Sequence, residues 1–126
     1  MADKNPFDRI RAIVRRDPTY RVEAYCYVFE ALDHTLRGLT KPRHVTGQEL
    51  CLGIRDVAIE RFGPLARTVF NHWGITKTED FGRIVFNLIE AELMGKTDTD
   101  SLDDFRDVYD FDEVFDRQLK IDVKLT

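Results

Sequence analysis

The sequence predicts a single domain that is mostly α-helical, with a small antiparallel β-sheet. The stretch 65–109 carries this prediction, because it reads as a helix, a tight turn at Gly74, a longer helix and a polar tip between two short extended segments. The last residues of the chain, 119–125, alternate between apolar and charged side chains, which is typical of a half-buried strand. A length of 126 residues suits one domain with one hydrophobic core.

Residues 1–16 are expected to form an amphipathic N-terminal helix, with arginines interleaved between apolar residues at helical spacing. The arginines form either a solvated face or a contact with an anionic partner. We favour the solvated face, because basic faces on short helices are common. The apolar residues are Phe7, Ile10, Ile13 and Val14, and the arginines are Arg9, Arg11, Arg15 and Arg16.

Residues 17–94 are expected to form a helical core. Asp17 and Pro18 predict the start of its first helix, as the N-cap and the first helical residue. The long apolar stripe between Val22 and Leu36 predicts that this helix lies at the centre of the packing.

The next helix has clear signals at both ends. Thr46 and Glu49 have the spacing of a capping box, after a short extended segment at 43–45. Gly63 and Pro64 end this helix and begin the following one, where a missing N–H is tolerated.

The last long helix follows a tight turn. Thr76 and Glu79 again have capping-box spacing, and Thr78 is a rival N-cap. Trp73 and Phe81 stand on either side of this turn, and both are expected to be buried in the core.

The remaining chain is expected to form a wing-like hairpin over residues 95–109, then a short helix and a C-terminal strand over residues 110–126. Helix, turn, helix and hairpin in this order resemble the second half of a winged helix-turn-helix domain. The strand, Leu119 to Leu125, must pair with segment 43–45, with the wing or with another chain, because a lone strand is unstable. The short helix begins near Asp110 and should dock Phe111, Val114 and Phe115 on the core.

Composition is that of a globular protein, with 43% hydrophobic and 33% charged residues. No apolar run reaches the length of a membrane span, and the first residues lack the apolar block of a signal peptide. We therefore expect a cytoplasmic protein without membrane contacts. Cys26 and Cys51 lie on apolar helix faces and are expected to be buried, reduced thiols.

Charge is distributed unevenly along the chain. Residues 1–45 hold nine Lys and Arg against six Asp and Glu, whereas residues 97–126 hold four against ten. Such asymmetry concerns surfaces and partners rather than the fold.

No residue is assigned a catalytic, cofactor-binding or metal-ligating role, and no cofactor is implied. His34, His44 and His72 lack the spacing of a metal site. The acidic run 98–104 departs from a calcium-binding loop at its fifth, sixth and twelfth positions. Ser101 is the only serine, so serine nucleophile chemistry depends on one residue in an expected loop tip.

DNA binding is the function that a winged helix suggests. Its recognition helix would begin with Thr78, Glu79 and Asp80, followed by Arg83. Phosphate contacts require Lys and Arg, so acidic residues at this helix start and on the wing disfavour DNA. The acidic wing residues are Asp98, Asp100, Asp103 and Asp104.

Several short blocks carry a resemblance to a known family. The chain resembles a bacterial family found in planctomycetes and verrucomicrobia, over most of the stretch from about residue 20 to about residue 115. The resemblance implies a small bacterial single-domain protein, and it implies no activity and no site residues. The blocks are Gly47–Leu50, Gly53–Asp56, Phe62–Pro64, His72–Gly74, Thr78–Gly82, Val85–Leu88, Lys96–Thr97 and Asp104–Tyr109.

Three functions remain open from the sequence. The leading hypothesis is a non-enzymatic adaptor or regulatory module that binds another macromolecule, expected to be a protein or a second copy of the chain. The first alternative is a DNA-binding regulator that uses its arginine-bearing N-terminal helix. The second is a small enzyme or metal protein whose site appears only in the fold. Lys120 and Lys124 are expected to protect a free edge of the C-terminal strand from pairing with other chains. The alternative is that this edge adds a strand from a second copy or from a partner peptide.

Overall fold

All regular secondary structure in the described part of the chain is helical. The computed structural model describes residues 5–95 and 102–117, without the side chains of 116 and 117. Gly63–Leu65 and Leu102–Phe105 form 3₁₀ turns, and Asp112–Arg117 forms a π-helical turn. The α-helices are α1 (Pro6–Arg16), α2 (Val22–Arg37), α3 (Gly47–Phe62), α4 (Ala66–His72) and α5 (Thr78–Glu90).

The expected β-sheet and winged-helix architecture are wrong, since no strand occurs in the two described ranges. Residues 43–45 are non-helical, but no described segment pairs with them. Residues 102–105, expected in the wing, form a turn that buries Phe105 against α3 and α5. Burial of this ring holds the segment as a turn. Residues 96–101 of the expected wing and the expected strand Leu119–Leu125 lie outside the described residues.

Helix α2 lies at the centre, as its long apolar stripe predicts. It packs against α1, α3 and α5, and Ala24, Tyr25, Val28 and Ala31 are fully buried along it. An aromatic cluster around Phe70 of α4 joins the later elements. The ring centroid of Phe70 lies 5.6 Å from that of Phe81, 5.8 Å from that of Phe111 and 5.4 Å from that of Phe115.

Two predicted helix boundaries are wrong. Helix α2 begins at Val22 rather than Pro18, because Asp17 instead accepts hydrogen bonds from the amide and the hydroxyl of Thr19. At α5 the side chain of Asp80, not Glu79, accepts from the free amides before the helix, those of residues 76 and 77.

Other boundaries follow the prediction. Thr46 and Glu49 form a reciprocal capping box at α3. Gly74 has a φ of 90°, and the next residue donates its amide to the carbonyl of Phe70, which closes α4. Asp110 accepts from two amides at the start of the final turn, which buries Phe111, Val114 and Phe115 as predicted.

Candidate functional site

The start of α5 is covered rather than exposed. The hydroxyl of Thr78 donates to the carbonyl of Phe105 at 2.7 Å and accepts from the amide of Val108 at 3.1 Å. Thr78 is fully buried, Asp80 is nearly so, and only Arg83 of the expected recognition residues is exposed. The end of α5 that would enter a DNA groove therefore lies under the 102–108 segment.

The side chains that the sequence offers as metal ligands or nucleophiles are dispersed over the fold. His34, His44 and His72 all lie at the surface. Within the described ranges, no three His, Cys, Asp or Glu side chains form a group that fits a metal ion. Asp103 is exposed, while Asp98, Asp100 and Ser101 fall outside those ranges.

Both cysteines are free thiols. Burial raises the pKa of Cys51 to about 12, and burial also raises the pKa of Cys26. Each thiol is therefore protonated at neutral pH, which makes it a poor nucleophile. Cys26 was expected to be buried, but it is partly exposed at the surface between α1 and α2.

That surface carries three open clefts of about 540, 520 and 550 Å³, which share Val22, the first residue of α2. Because they adjoin one another at this residue, we describe them together as one groove. It is bounded by α1, by the first half of α2 and by the ends of α3 and α4. We call it the α1–α2 groove.

The floor of the α1–α2 groove is aromatic. The ring of Trp73 lies 5.5 Å from Tyr27 and 5.8 Å from Phe62, centroid to centroid. Tyr27 is fixed by a 2.7 Å hydrogen bond from its hydroxyl to the carbonyl of Ile54. Trp73 was expected to be buried, but it is only partly buried, because it caps α4 at the edge of the groove.

The rim of the α1–α2 groove is charged. Phe7 is 43% exposed, and the guanidinium of Arg11 lies 4.6 Å from its ring centroid. On the opposite wall, Arg61 forms a salt bridge with Glu30. Arg21 donates its backbone amide to the carbonyl of Trp73 at 3.2 Å, which joins the backbone at the end of α4 to the α1–α2 loop.

A second cleft of about 300 Å³ lies between α2, α5 and the 43–47 segment. Its walls are mainly apolar, and Arg43 on its rim is engaged by Glu49 at 2.6 and 2.8 Å. This contact and the capping bond from Thr46 lower the pKa of Glu49 to about 2. The cleft ends at Gly95, the last described residue before the internal gap, so we take the α1–α2 groove as the candidate site.

Sequence reasoning identified the arginines of α1 but not the groove. It assigned Trp73 to the core on helical spacing alone, and it did not link this residue to Phe7 or Val22. The available signal was Gly74, which predicts that the helix ends at Trp73, so that this residue lies at a helix end rather than within an apolar stripe.

Comparisons with other proteins identify no relative. No protein-family model, curated protein or solved structure matches the chain. The resemblance to a planctomycete and verrucomicrobial family therefore stays a prediction, and function is argued from the groove. Among the described residues, no helix is long and apolar enough to cross a bilayer.

Proposed function

We propose that the protein is a non-enzymatic adaptor or regulatory module that binds a partner protein in the α1–α2 groove. The observation that supports this most directly is the partly exposed Trp73, set among Tyr27 and Phe62 and bordered by arginines. Tryptophan, tyrosine and arginine dominate the binding energy of protein interfaces. The two free thiols suit a reducing compartment, so we place this function in the cytoplasm.

The test compares capture of partners by the full chain and by two matched variants. Phe7→Ala removes an exposed ring at the groove, whereas Phe86→Ala removes a similarly exposed ring on α5. A true partner is retained by wild type and by Phe86→Ala, is lost with Phe7→Ala, and changes Trp73 emission when purified and added back. Trp73 is the only tryptophan in the chain, so the signal reports on the groove.

A DNA-binding regulator that uses α1 is the second candidate, supported by the exposed arginines of that helix. Duplex DNA titrated into the same three proteins separates the two functions. A groove-bound protein partner predicts no DNA-dependent change in Trp73 emission at physiological salt. Tight DNA binding that is lost on changing Arg11 and Arg15 would replace the proposed function.

A further inference from the structure

We infer that the α1–α2 groove binds an acidic amphipathic helix, whose apolar residues contact Trp73 and whose carboxylates face the arginines of α1. This inference rests on the proposed function and specifies the chemistry of the partner. Three observations carry it: the pairing state of the arginines, the spacing of the rim residues and the recessed apolar floor.

The arginines of the described residues differ in whether they form salt bridges. Each of the five between residues 22 and 67 forms a salt bridge with an Asp or Glu. None of the five in residues 5–21 forms a salt bridge with any described residue, and neither does Arg83 or Arg106.

Three of these seven arginines, Arg11, Arg15 and Arg21, line the clefts of the groove. Their other contacts are with neutral groups, since Arg11 lies over the ring of Phe7 and Nε of Arg21 donates to the carbonyl of His72. A partner with carboxylates would supply the missing counter-charges.

The rim residues of α1 are spaced for a helix. Phe7, Arg11 and Arg15 are four residues apart, so they form a single stripe along a helix about 16 Å long. A partner helix lying along this stripe presents acidic residues at the same one-turn spacing. Helix-in-groove binding of this kind uses apolar anchors at positions i, i+3, i+4 and i+7.

The floor distinguishes a helix from other anionic partners. Val22, Cys26 and Trp73 are partly buried in the cleft, whereas Phe7 and Arg11 on its rim are exposed, so a flat bilayer surface would meet the rim before the floor. Asp8 and Glu23 line the same groove and would repel a partner that is anionic along its whole length, such as a nucleic acid or an anionic lipid surface. In a peptide, by contrast, a basic residue can be placed opposite Glu23 while acidic residues face α1.

The experiment selects peptides without assuming their charge. Random peptides of about 18 residues, long enough for five turns, are displayed and selected on the full chain. Counter-selection uses a variant that carries Arg11→Glu and Arg15→Glu, both at exposed positions. An Arg11→Gln, Arg15→Gln variant removes the charges without reversing them. The matched control is Arg106→Glu, which changes an exposed arginine on the 102–110 segment.

We expect the enriched peptides to be net acidic, with apolar residues at helical spacing. A tryptophan-free peptide from this set should shift Trp73 emission, and its affinity should fall about tenfold in the Gln variant and further in the Glu variant. Affinity should also fall as NaCl rises from about 0.05 M to about 0.5 M, and Arg106→Glu should leave it unchanged.

Each other outcome contradicts either the acidic partner or the proposed function. Groove-dependent peptides that are neutral or basic would overturn the acidic partner and leave the proposed function in place. If no groove-dependent peptide is enriched, the acidic partner and the proposed function are both wrong. Vesicles of phosphatidylglycerol or duplex DNA that bind more tightly than the peptides would assign the groove to a lipid surface or to nucleic acid. Dimers that dissociate in the Glu variant would assign it to a second copy of the chain.

Discussion

The hydroxyl of Tyr20 donates a 2.5 Å hydrogen bond to Oδ1 of Asp80, a residue 60 positions further along the chain. Both side chains are buried. The other carboxylate oxygen of Asp80 accepts from the amides of Thr76, at 2.8 Å, and Lys77. Burial and the Asp80 carboxylate raise the pKa of Tyr20 well above its usual value. One carboxylate thus joins the α1–α2 loop to the start of α5.

Removal of either partner should destabilise the fold. Tyr20→Phe leaves a buried carboxylate oxygen without its donor and should cost about 1–3 kcal/mol. Asp80→Ala also removes the helix cap and should cost about 2–4 kcal/mol. Because the two residues share one bond, the double variant should cost less than the two single variants together. Urea unfolding measures all three free energies, and strict additivity would contradict the coupling.

Gly74 should not tolerate alanine. Its φ is 90°, and an added Cβ would lie 2.3 Å from the carbonyl oxygen of Thr19. Backbone strain and this backbone clash predict a loss of about 2–4 kcal/mol for Gly74→Ala. The control is Gly38→Ala at the end of α2, where φ is −80° and the nearest backbone atom is 3.5 Å away. Equal thermal stability of the two variants would be inconsistent with the structure.

The effect of Gly53→Ala on stability should depend on the residue at position 35, where α2 and α3 cross. An added Cβ at Gly53 would lie 1.9 Å from the hydroxyl of Thr35, so Gly53→Ala should destabilise the wild type by about 1–3 kcal/mol. Thr35→Ala removes that hydroxyl, and its own effect is measured separately. In this background the nearest atom to the added Cβ is Cβ of residue 35, at 3.3 Å, so Gly53→Ala should destabilise by less than in the wild type, offset by a helix propensity gain of up to about 1 kcal/mol. Destabilisation of the same size in both backgrounds would argue against this close approach.

Glu49 should contribute to stability in a defined pH range. Its pKa is about 2 in the folded protein, against an ordinary value of 4.5, chiefly because Arg43 donates two hydrogen bonds to it. A lowered pKa stabilises the fold above pH 4.5, and the contribution disappears as the pH falls towards 2. The difference in urea midpoint between wild type and Glu49→Gln should shrink over that range. A difference that stays constant down to pH 2 would exclude this linkage.

The two thiols should differ in reactivity. Cys26 is partly exposed in the α1–α2 groove, whereas Cys51 is fully buried with a pKa of about 12. Iodoacetamide at pH 8 should therefore alkylate one thiol in the folded protein and two in urea. Mass spectrometry of peptides should locate the native modification at Cys26, and Cys26→Ser should abolish it. Rapid modification of Cys51 in the folded protein would contradict its burial, because it would require this face of α3 to become accessible to solvent.

Local signals in the sequence predicted most helices. The capping box at Thr46 and Glu49, the break at Gly63 and Pro64 and the turn at Gly74 depend on residues within one helical turn of each other, so they can be recognised without the fold. The apolar stripe of α2 and the docking of Phe111 follow from the same local periodicity.

A competing local hydrogen bond at Asp17 and contacts between residues distant in sequence explain where the predictions failed. Asp is a residue type favoured at N-caps, yet the carboxylate of Asp17 accepts a hydrogen bond from Thr19 instead. At α5 the free amides are capped by Asp80, whose carboxylate is held in place by a hydrogen bond from Tyr20. The wing prediction failed because Phe105 packs against two helices that are distant in sequence.

The sequence by itself determined that the chain is mostly helical and that its first helix carries arginines between its apolar residues. Only the tertiary structure decided that two of them, Arg11 and Arg15, line a groove with Trp73 on its floor. The physical reason is that periodicity gives the face on which a side chain lies, whereas partial exposure depends on which other helices cover that face. Four elements separated in sequence, α1, α2, the end of α3 and the end of α4, must assemble before the groove exists.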